Sequence, residues 1–320
     1  MSDTKPLIAV VVPCYNEEEM LPISAPRILA VLDRLAAEGA IDGDSYVMCC
    51  DDGSKDATWD VIKALNASDK RVKGLSLAHN RGHQNVLMAG LMAVADRCDA
   101  AISIDADLQD DPEAMAEMVR CFRDGAEIVY GVRGDRSTDT WFKRVTARGF
   151  YSFQNAMGLE TVYDHADYRL MSGRALRMLG AYKESNLFLR GIIPQIGLRT
   201  AKVFYKRNVR VAGESKYPLM KMLNFSIDGI TSFTSKPIRL IFTVGMLFLL
   251  LDLLVGAWVL TAHFSGHTIT GWSSLMLSVW FLGSLVLIAI GIVGEYIGKI
   301  FIEVKGRPLY AVMETVGFNE

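Results

Sequence analysis

Asp105 and Asp107 stand two residues apart where an apolar run, residues 100–104, comes to an end. Such a run reads as a buried strand, and a strand places positions i and i+2 on one face. Both carboxylates can therefore point the same way. Like charges that close repel unless a cation lies between them. A hard divalent ion suits the pair, since Mg2+ takes one or two carboxylates together with phosphate oxygens. An acidic turn after a strand is the plain alternative for Asp-x-Asp taken alone. Pro112 and Glu113 then open a helical pattern.

The elements around this pair repeat one plan. Apolar runs at 7–12, 46–50, 72–77, 100–104 and 127–130 predict strands, and helical spacing at 23–35, 59–66 and 86–95 fills the gaps. Pro13 is expected to stop the first strand. The alternation predicts an α/β fold with a parallel, doubly wound sheet. Ligands bind such sheets beyond the carboxyl ends of the strands. A polar cluster follows each strand: Tyr15 to Glu17, Asp51-Asp52, His79 to His83, Asp105 to Gln109, and Arg133. Five clusters meeting at one edge argue for a site rather than incidental turns. The sequence has no Gly-x-Gly-x-x-Gly after its first strand and no Gly-x-x-x-x-Gly-Lys-Ser/Thr. A phosphate-bearing ligand would need a metal and basic side chains instead.

A net charge of −2 over 320 residues gives no field that would draw the chain to nucleic acid. The 51% hydrophobic content is concentrated. Residues 240–260 carry the single charge Asp252, and 272–294 carry none. A bilayer core of about 30 Å needs about 20 helical residues, so two spans are expected, about 239–261 and 272–294. The apolar stretch at 7–12 is too short for a secretory leader, so the soluble part is expected on the side of synthesis. Five cysteines without metal-ligand spacing read as reduced thiols. Lys216, Lys221, Lys236 and Arg239 precede the first span, and Lys299, Lys305 and Arg307 follow the second. The link between them has no Lys or Arg, which puts both termini in the cytoplasm. Residues 216–237 read as an interfacial amphipathic helix, and a second one is read at 191–198. Asp252 is costly in lipid and is expected to face another helix or subunit, so a homo-oligomer is expected.

Four motifs carry a resemblance: residues 12–18 (Val-Pro-Cys-Tyr-Asn-Glu-Glu), 51–54 (Asp-Asp-Gly-Ser), 105–109 (Asp-Ala-Asp-Leu-Gln) and 213–216 (Gly-Glu-Ser-Lys). Together they resemble family 2 glycosyltransferases of the GT-A fold. More narrowly, the chain resembles polyprenyl-phosphate glycosyltransferases, the dolichol-phosphate-mannose synthase and bacterial GtrB type. Two spans followed by Gly294-Glu295-Tyr296-Ile297-Gly298 and by residues 303–308 fit the bacterial branch. The resemblance implies a GT-A Rossmann-like nucleotide-sugar domain over 1–215. An interfacial helix at 216–237, a transmembrane hairpin at 238–296 and a cytoplasmic tail at 297–320 would follow. The donor would be a nucleotide sugar, UDP-glucose for example, and the acceptor a polyprenyl phosphate in the inner membrane.

The same resemblance assigns roles. Pro13, Tyr15, Glu17 and Asp52 would hold the nucleoside. Asp105, Ala106, Asp107 and Gln109 would line the donor, with Asp105, Asp107 and Gln109 holding Mg2+ or Mn2+ against the diphosphate. Asp107 would thereby count as catalytic. Arg210 and Lys216 would close over the phosphates, and a metal with a basic clamp neutralises a leaving diphosphate where no P-loop exists. Arg133 with Lys143, Arg144 and Arg148 would hold the acceptor's phosphate. A solvated helix face or a basic anchor at anionic lipid is the alternative for 143–148. Asp167 would be the base candidate and Asp164 the second choice, against an Asp–Arg pair that merely fixes the loop. A phosphate monoester is already ionised near neutrality, so Asp167 could instead orient acceptor or sugar. A non-catalytic partner of a flippase, or a transferase with a polysaccharide acceptor, is the rival reading.

Overall fold

The computed structural model describes residues 5–134, 165–185, 187–206 and 271–318, with scattered positions between 241 and 265. It divides into two compact units. One is built from 1–149, 160–217 and 307–320, the other from 150–159 and 218–306.

The first unit is a mixed sheet with helices. Its strands are β1 (Ile8–Cys14), β2 (Tyr46–Asp51), β3 (Val72–Leu77), β4 (Ala100–Ser103), β5 (Ile128–Arg133), β6 (His165–Ser172), β7 (Thr200–Tyr205) and β8 (Val312–Val316). They lie in the order β7-β5-β6-β4-β1-β2-β3-β8. β1 pairs in parallel with β2 and β4, and β2 with β3. This is the doubly wound core expected from the alternation of runs. Every residue of β1 and β2 is buried, as central strands covered on both faces require. Between the strands lie α1 (Leu21–Ala37), α2 (Thr58–Ser68), α3 (His83–Val94), α4 (Ala114–Arg123), α5 (Gly173–Gly180) and α6 (Leu189–Gln195). α3 packs close on the sheet through Gly90, where a Cβ would strike Cys50 Sγ and Val11 Cγ1.

Four expectations are corrected. The sheet is not all parallel: β6 runs antiparallel to both β4 and β5, between which it lies. Its sequence carries Asp167 and Arg169, so its apolar run is broken and it reads as a loop. Pro13 does not stop β1, which continues to Cys14 with Pro13 opposite Cys50. At a strand end one missing amide costs little pairing. Residues 191–198 do not form an interfacial helix. α6 buries Leu189, Gly191, Ile192 and Ile193 in this unit, and a core-facing stripe has the same period as a membrane-facing one. The last segment is not a bare tail, because β8 pairs antiparallel with β3.

β8 closes an edge that would otherwise expose unpaired backbone groups. Trp59 Nε1 donates to Glu314 at 2.9 Å, and the Phe318 ring sits under Lys73 and Arg97 at 5.5 and 4.6 Å. Deleting residues 311–320 is expected to destabilise this unit by on the order of 3 kcal/mol, at about 1 kcal/mol per lost ladder bond. Hydrogen exchange at β3 amides should accelerate with it. An unchanged melting temperature would show that β8 is only draped on the edge.

In the second unit the described positions among 241–261 are helical, and α7 spans Trp272–Val304. Among the described residues one helix is long and apolar enough to cross a membrane, Phe281–Val304, with mean hydropathy 2.1. Leu287, Val304, Ile290 and Phe301 are all exposed in the chain by itself. A helix with so long an apolar run has the length and composition to cross lipid. The interfacial helix expected at 216–237 lies outside the described residues, as does Asp252.

Candidate active site

The site begins with two loops sewn together. After β1, the Asn16 amide donates to Ser54 Oγ at 2.9 Å, and the Lys55 amide donates back to Asn16 Oδ1 at 2.9 Å. The Glu17 amide donates to Thr58 Oγ1 at 2.8 Å. Asn16 holds this crossing at φ +55°, which Asn tolerates better than most residues. Asp51 is buried and structural, accepting from the Ser54 amide and from Ser76 Oγ at 3.1 and 2.8 Å. Asp52 accepts from the amides of Arg81 and Gly82 at 2.7 and 2.8 Å, so it ties the β2 loop to the entry of α3. Burial raises its pKa, and the two amides work against that rise.

Gly53 makes the turn possible. It has φ +63°, and a Cβ there would come within 2.7–2.9 Å of the His79 and Asn80 backbone. Gly53→Ala is expected to cost about 2–4 kcal/mol, from left-handed strain plus overpacking. Thermal melting would measure the loss, and an unchanged melting temperature would mean that the loop can shift freely.

These loops and the end of β4 enclose a cleft of about 360 Å3 lined in part by Pro13, Tyr15, Glu17, Asp52, Asp105, Ala106 and Asp107. Seven residues named from sequence for the donor thus come to one place. Cys14, Asn80, Gly82, His83 and Val86 line it as well. Asp107 Oδ1 accepts from the Gln109 amide at 3.1 Å, around Leu108 at φ +52°. A bulky residue in that region is strained, and such strain gathers at functional sites. Gln109 itself is buried and is not among the lining residues.

Burial raises the Asp105 pKa to about 6; His83 opposes the rise, while Asp167, Asp110 and Asp107 add to it. Two carboxylates, Asp105 and Asp107, line this one cleft, and such a pair suits a divalent cation. Among the described residues no group of three or more His, Cys, Asp or Glu is arranged to hold a metal ion. Two carboxylates with the remaining positions left to phosphate oxygens is the arrangement expected of Mg2+. Asp105 and Asp107 therefore fit the metal-binding role.

Beside the cleft stands a second charged group. Asp167 Oδ1 accepts from Arg169 Nη2 and, at 3.2 Å, from Arg190 Nε. Its Oδ2 accepts from Arg190 Nη2 at 3.0 Å and Gln84 Nε2 at 3.4 Å. His83 Nε2 lies 3.6 Å from Asp167 Oδ2 and 3.7 Å from Asp105 Oδ1, between the two carboxylates. Burial would raise the Asp167 pKa, but His83, Arg169 and Arg190 outweigh it and hold the carboxyl well below its ordinary range. The Asp–Arg alternative thus describes its contacts well. Arg133 reaches Asp110 Oδ1 at 3.2 Å, and Tyr205 OH donates to the same oxygen at 2.6 Å. Lys143, Arg144, Arg148, Asp164, Arg210 and Lys216 lie outside the described residues.

Sequence reasoning missed Gln84 and Arg190. Arg190 stands one residue before the stretch read for its apolar stripe, and Gln84 in a polar loop that is in fact the first turn of α3.

Residues 9–180 match the glycosyl transferase family 2 model, and residues 236–300 match the GtrB C-terminal hairpin model. A Bacillus subtilis (strain 168) protein described as the uncharacterized glycosyltransferase YkoT is 49% identical over 98% of this chain and 93% of its own. The SfII prophage-derived bactoprenol glucosyl transferase of Shigella flexneri is 38% identical over 96% of this chain and 98% of its own. Among solved structures, a glucosyl-3-phosphoglycerate synthase from Mycobacterium tuberculosis is 19% identical. It covers 71% of this chain and 78% of its own at a TM-score of 0.46.

Proposed function

The chain belongs to glycosyl transferase family 2, and on that premise we propose that it moves one sugar from a UDP-sugar to the phosphate of a polyprenol such as undecaprenyl phosphate. It is a glycosyltransferase, which sets aside the non-catalytic flippase partner. The observation that carries the reading is the cleft holding Asp105 and Asp107, in a chain with a helix apolar enough for a membrane. The relative named for bactoprenol supports the acceptor, because the similarity spans nearly both chains. A processive polysaccharide synthase would need more spans than the two read here.

In this reading Pro13, Tyr15, Glu17 and Asp52 cradle the nucleoside, and Asp105 and Asp107 hold Mg2+ or Mn2+ at the diphosphate. When bound there, the ion would offset the charge that develops on the departing diphosphate. Arg210 and Lys216 close over the same phosphates. The acceptor phosphate, held by Arg133 and the basic set Lys143, Arg144 and Arg148, places an oxygen against the anomeric carbon. That oxygen forms the new bond as the bond to the UDP oxygen breaks, and the anomeric centre inverts. Its second pKa is about 6, so it arrives ionised and needs no base. Asp167, engaged by two guanidiniums, is then a positioning group.

Two spans, about 239–261 and 272–294, would anchor the enzyme in the inner membrane with the site and both termini cytoplasmic. Asp252 would face a neighbouring helix, in a homo-oligomer. The test is transfer of labelled sugar into an organic-extractable lipid by the full-length protein in nanodiscs. Product should form with polyprenyl phosphate and stop with EDTA. No lipid product from any UDP-sugar would overturn the reading.

A further inference from the structure

We propose that Arg190 grips a phosphate at this site, and that the phosphate is the acceptor's; this rests on the proposed function. Asp167 is one carboxylate between two guanidiniums, so Asp167, Arg169 and Arg190 together carry a formal charge of +1 (+2 − 1). Arg169 already neutralises Asp167, and the Arg169 side chain is 1% exposed. A second cation is therefore more than Asp167 alone requires. The Arg190 side chain is 40% exposed, so the surplus charge reaches solvent there.

The Arg190 guanidinium is held in one pose. Its Nε and Nη2 meet both oxygens of Asp167, which fixes the plane and turns the Nη1 side away from that carboxylate. Its backbone is fixed as well. Leu189, Ile192 and Ile193 are buried, and the Leu189 amide donates to Gln84 Oε1 at 3.2 Å. Gln84 Nε2 reaches Asp167, so one side chain ties the first turn of α3 to both the carboxylate and the start of α6. A rotamer locked from two directions loses little further entropy on binding an anion.

The position selects the ligand. Arg133 and Asp105 are both near enough for their charges to act on Arg190. The donor cleft is walled on this side by His83, and neither Asp167 nor Arg190 lines it. Arg190 thus stands outside the donor cleft, within electrostatic reach of the arginine read for the acceptor. A phosphate monoester carries about −1.5 to −2 charge near neutrality and presents planar oxygen pairs that match a guanidinium edge.

The experiment uses full-length protein in detergent, with farnesyl phosphate, farnesol and UDP as separate equilibrium probes, and farnesyl phosphate as acceptor in rate measurements. Arg190→Ala should weaken farnesyl phosphate binding and raise its KM about ten- to hundredfold, the loss of a charged bidentate hydrogen bond. UDP and farnesol affinities should stay within about twofold. Arg190→Lys should recover part of the loss, because a point charge keeps the attraction without the fork. Gln84→Ala should give a smaller shift of the same KM. Loss of UDP affinity with farnesyl phosphate unaffected would assign the phosphate to the donor and overturn the acceptor assignment. Unchanged binding of both, or a fall in kcat alone with a lower melting temperature, would make Arg190 structural and overturn the proposal. Failure of the wild type to transfer sugar would sink the proposed function instead, and the binding arm, which needs no turnover, would still decide for Arg190.

Discussion

Asp107→Ala is expected to reduce sugar transfer on the order of a thousandfold while leaving the protein folded and membrane-bound. The two halves of that result have separate causes. Asp107 lines the cleft and is partly exposed, and its local task is to accept the Gln109 amide at 3.1 Å. One turn bond of that kind is worth about 1 kcal/mol. Its carboxylate charge, by contrast, is one of the two that hold the divalent ion at the diphosphate in the proposed mechanism. Asp110 provides the contrast. It stands three residues further on, is 1% exposed, and takes Arg133 and Tyr205 on one oxygen. Asp110→Ala should therefore lower the melting temperature more than Asp107→Ala does. The decisive measurements are labelled lipid product and UDP affinity with and without Mn2+. Wild-type UDP binding should tighten with Mn2+, and the variant should lose that gain. Transfer at the wild-type rate by Asp107→Ala would refute the metal role.

The part of this site that was legible from sequence was legible because the chain is short-range there. In β1, β2, β3 and β4 a buried run ends and a polar cluster begins within a few residues. Parallel strands side by side then bring those clusters together without further information. Tyr15, Asp52 and Asp105 could be placed in one cleft on that ground alone. Arg190 could not. It acts through Asp167 on β6 and Gln84 on α3, contacts that span 23 and 105 residues of sequence in the case of Arg190–Asp167 and Leu189–Gln84. Neither contact has a periodicity to read. β6 was hidden for a related reason. A strand that donates Asp167 to a site and buries Arg169 breaks the apolar pattern by which strands are recognised. β8 was hidden by its place, since it returns to the sheet only after α7, and its partner β3 lies far back in the chain.

Asp167→Ala is expected to cost about 3–5 kcal/mol of stability, the range for removing one partner of a buried ion pair. The penalty comes from what stays behind. Arg169 remains fully inside, and its Nε and Nη1 have no hydrogen-bond partner among the described residues. Without Asp167 its Nη2 also loses its acceptor, and a buried cation stands unpaired. Asp167→Asn keeps the shape and some of the acceptors but not the charge, so it should lie between wild type and alanine. Arg169→Met with Asp167→Asn, which removes both buried charges, should recover stability relative to Asp167→Ala. The pH dependence has a definite sign. The folded-state pKa of Asp167 lies below its ordinary value near 3.9, so the carboxylate's contribution is complete above about pH 4. It is lost as pH falls through the depressed folded value. Chemical denaturation of wild type and Asp167→Asn should therefore differ by a constant amount above about pH 5 and converge only in strong acid. A gap that closes between pH 5 and 7 would mean that Asp167 takes up a proton in the working range, and would restore it as the base of the reaction.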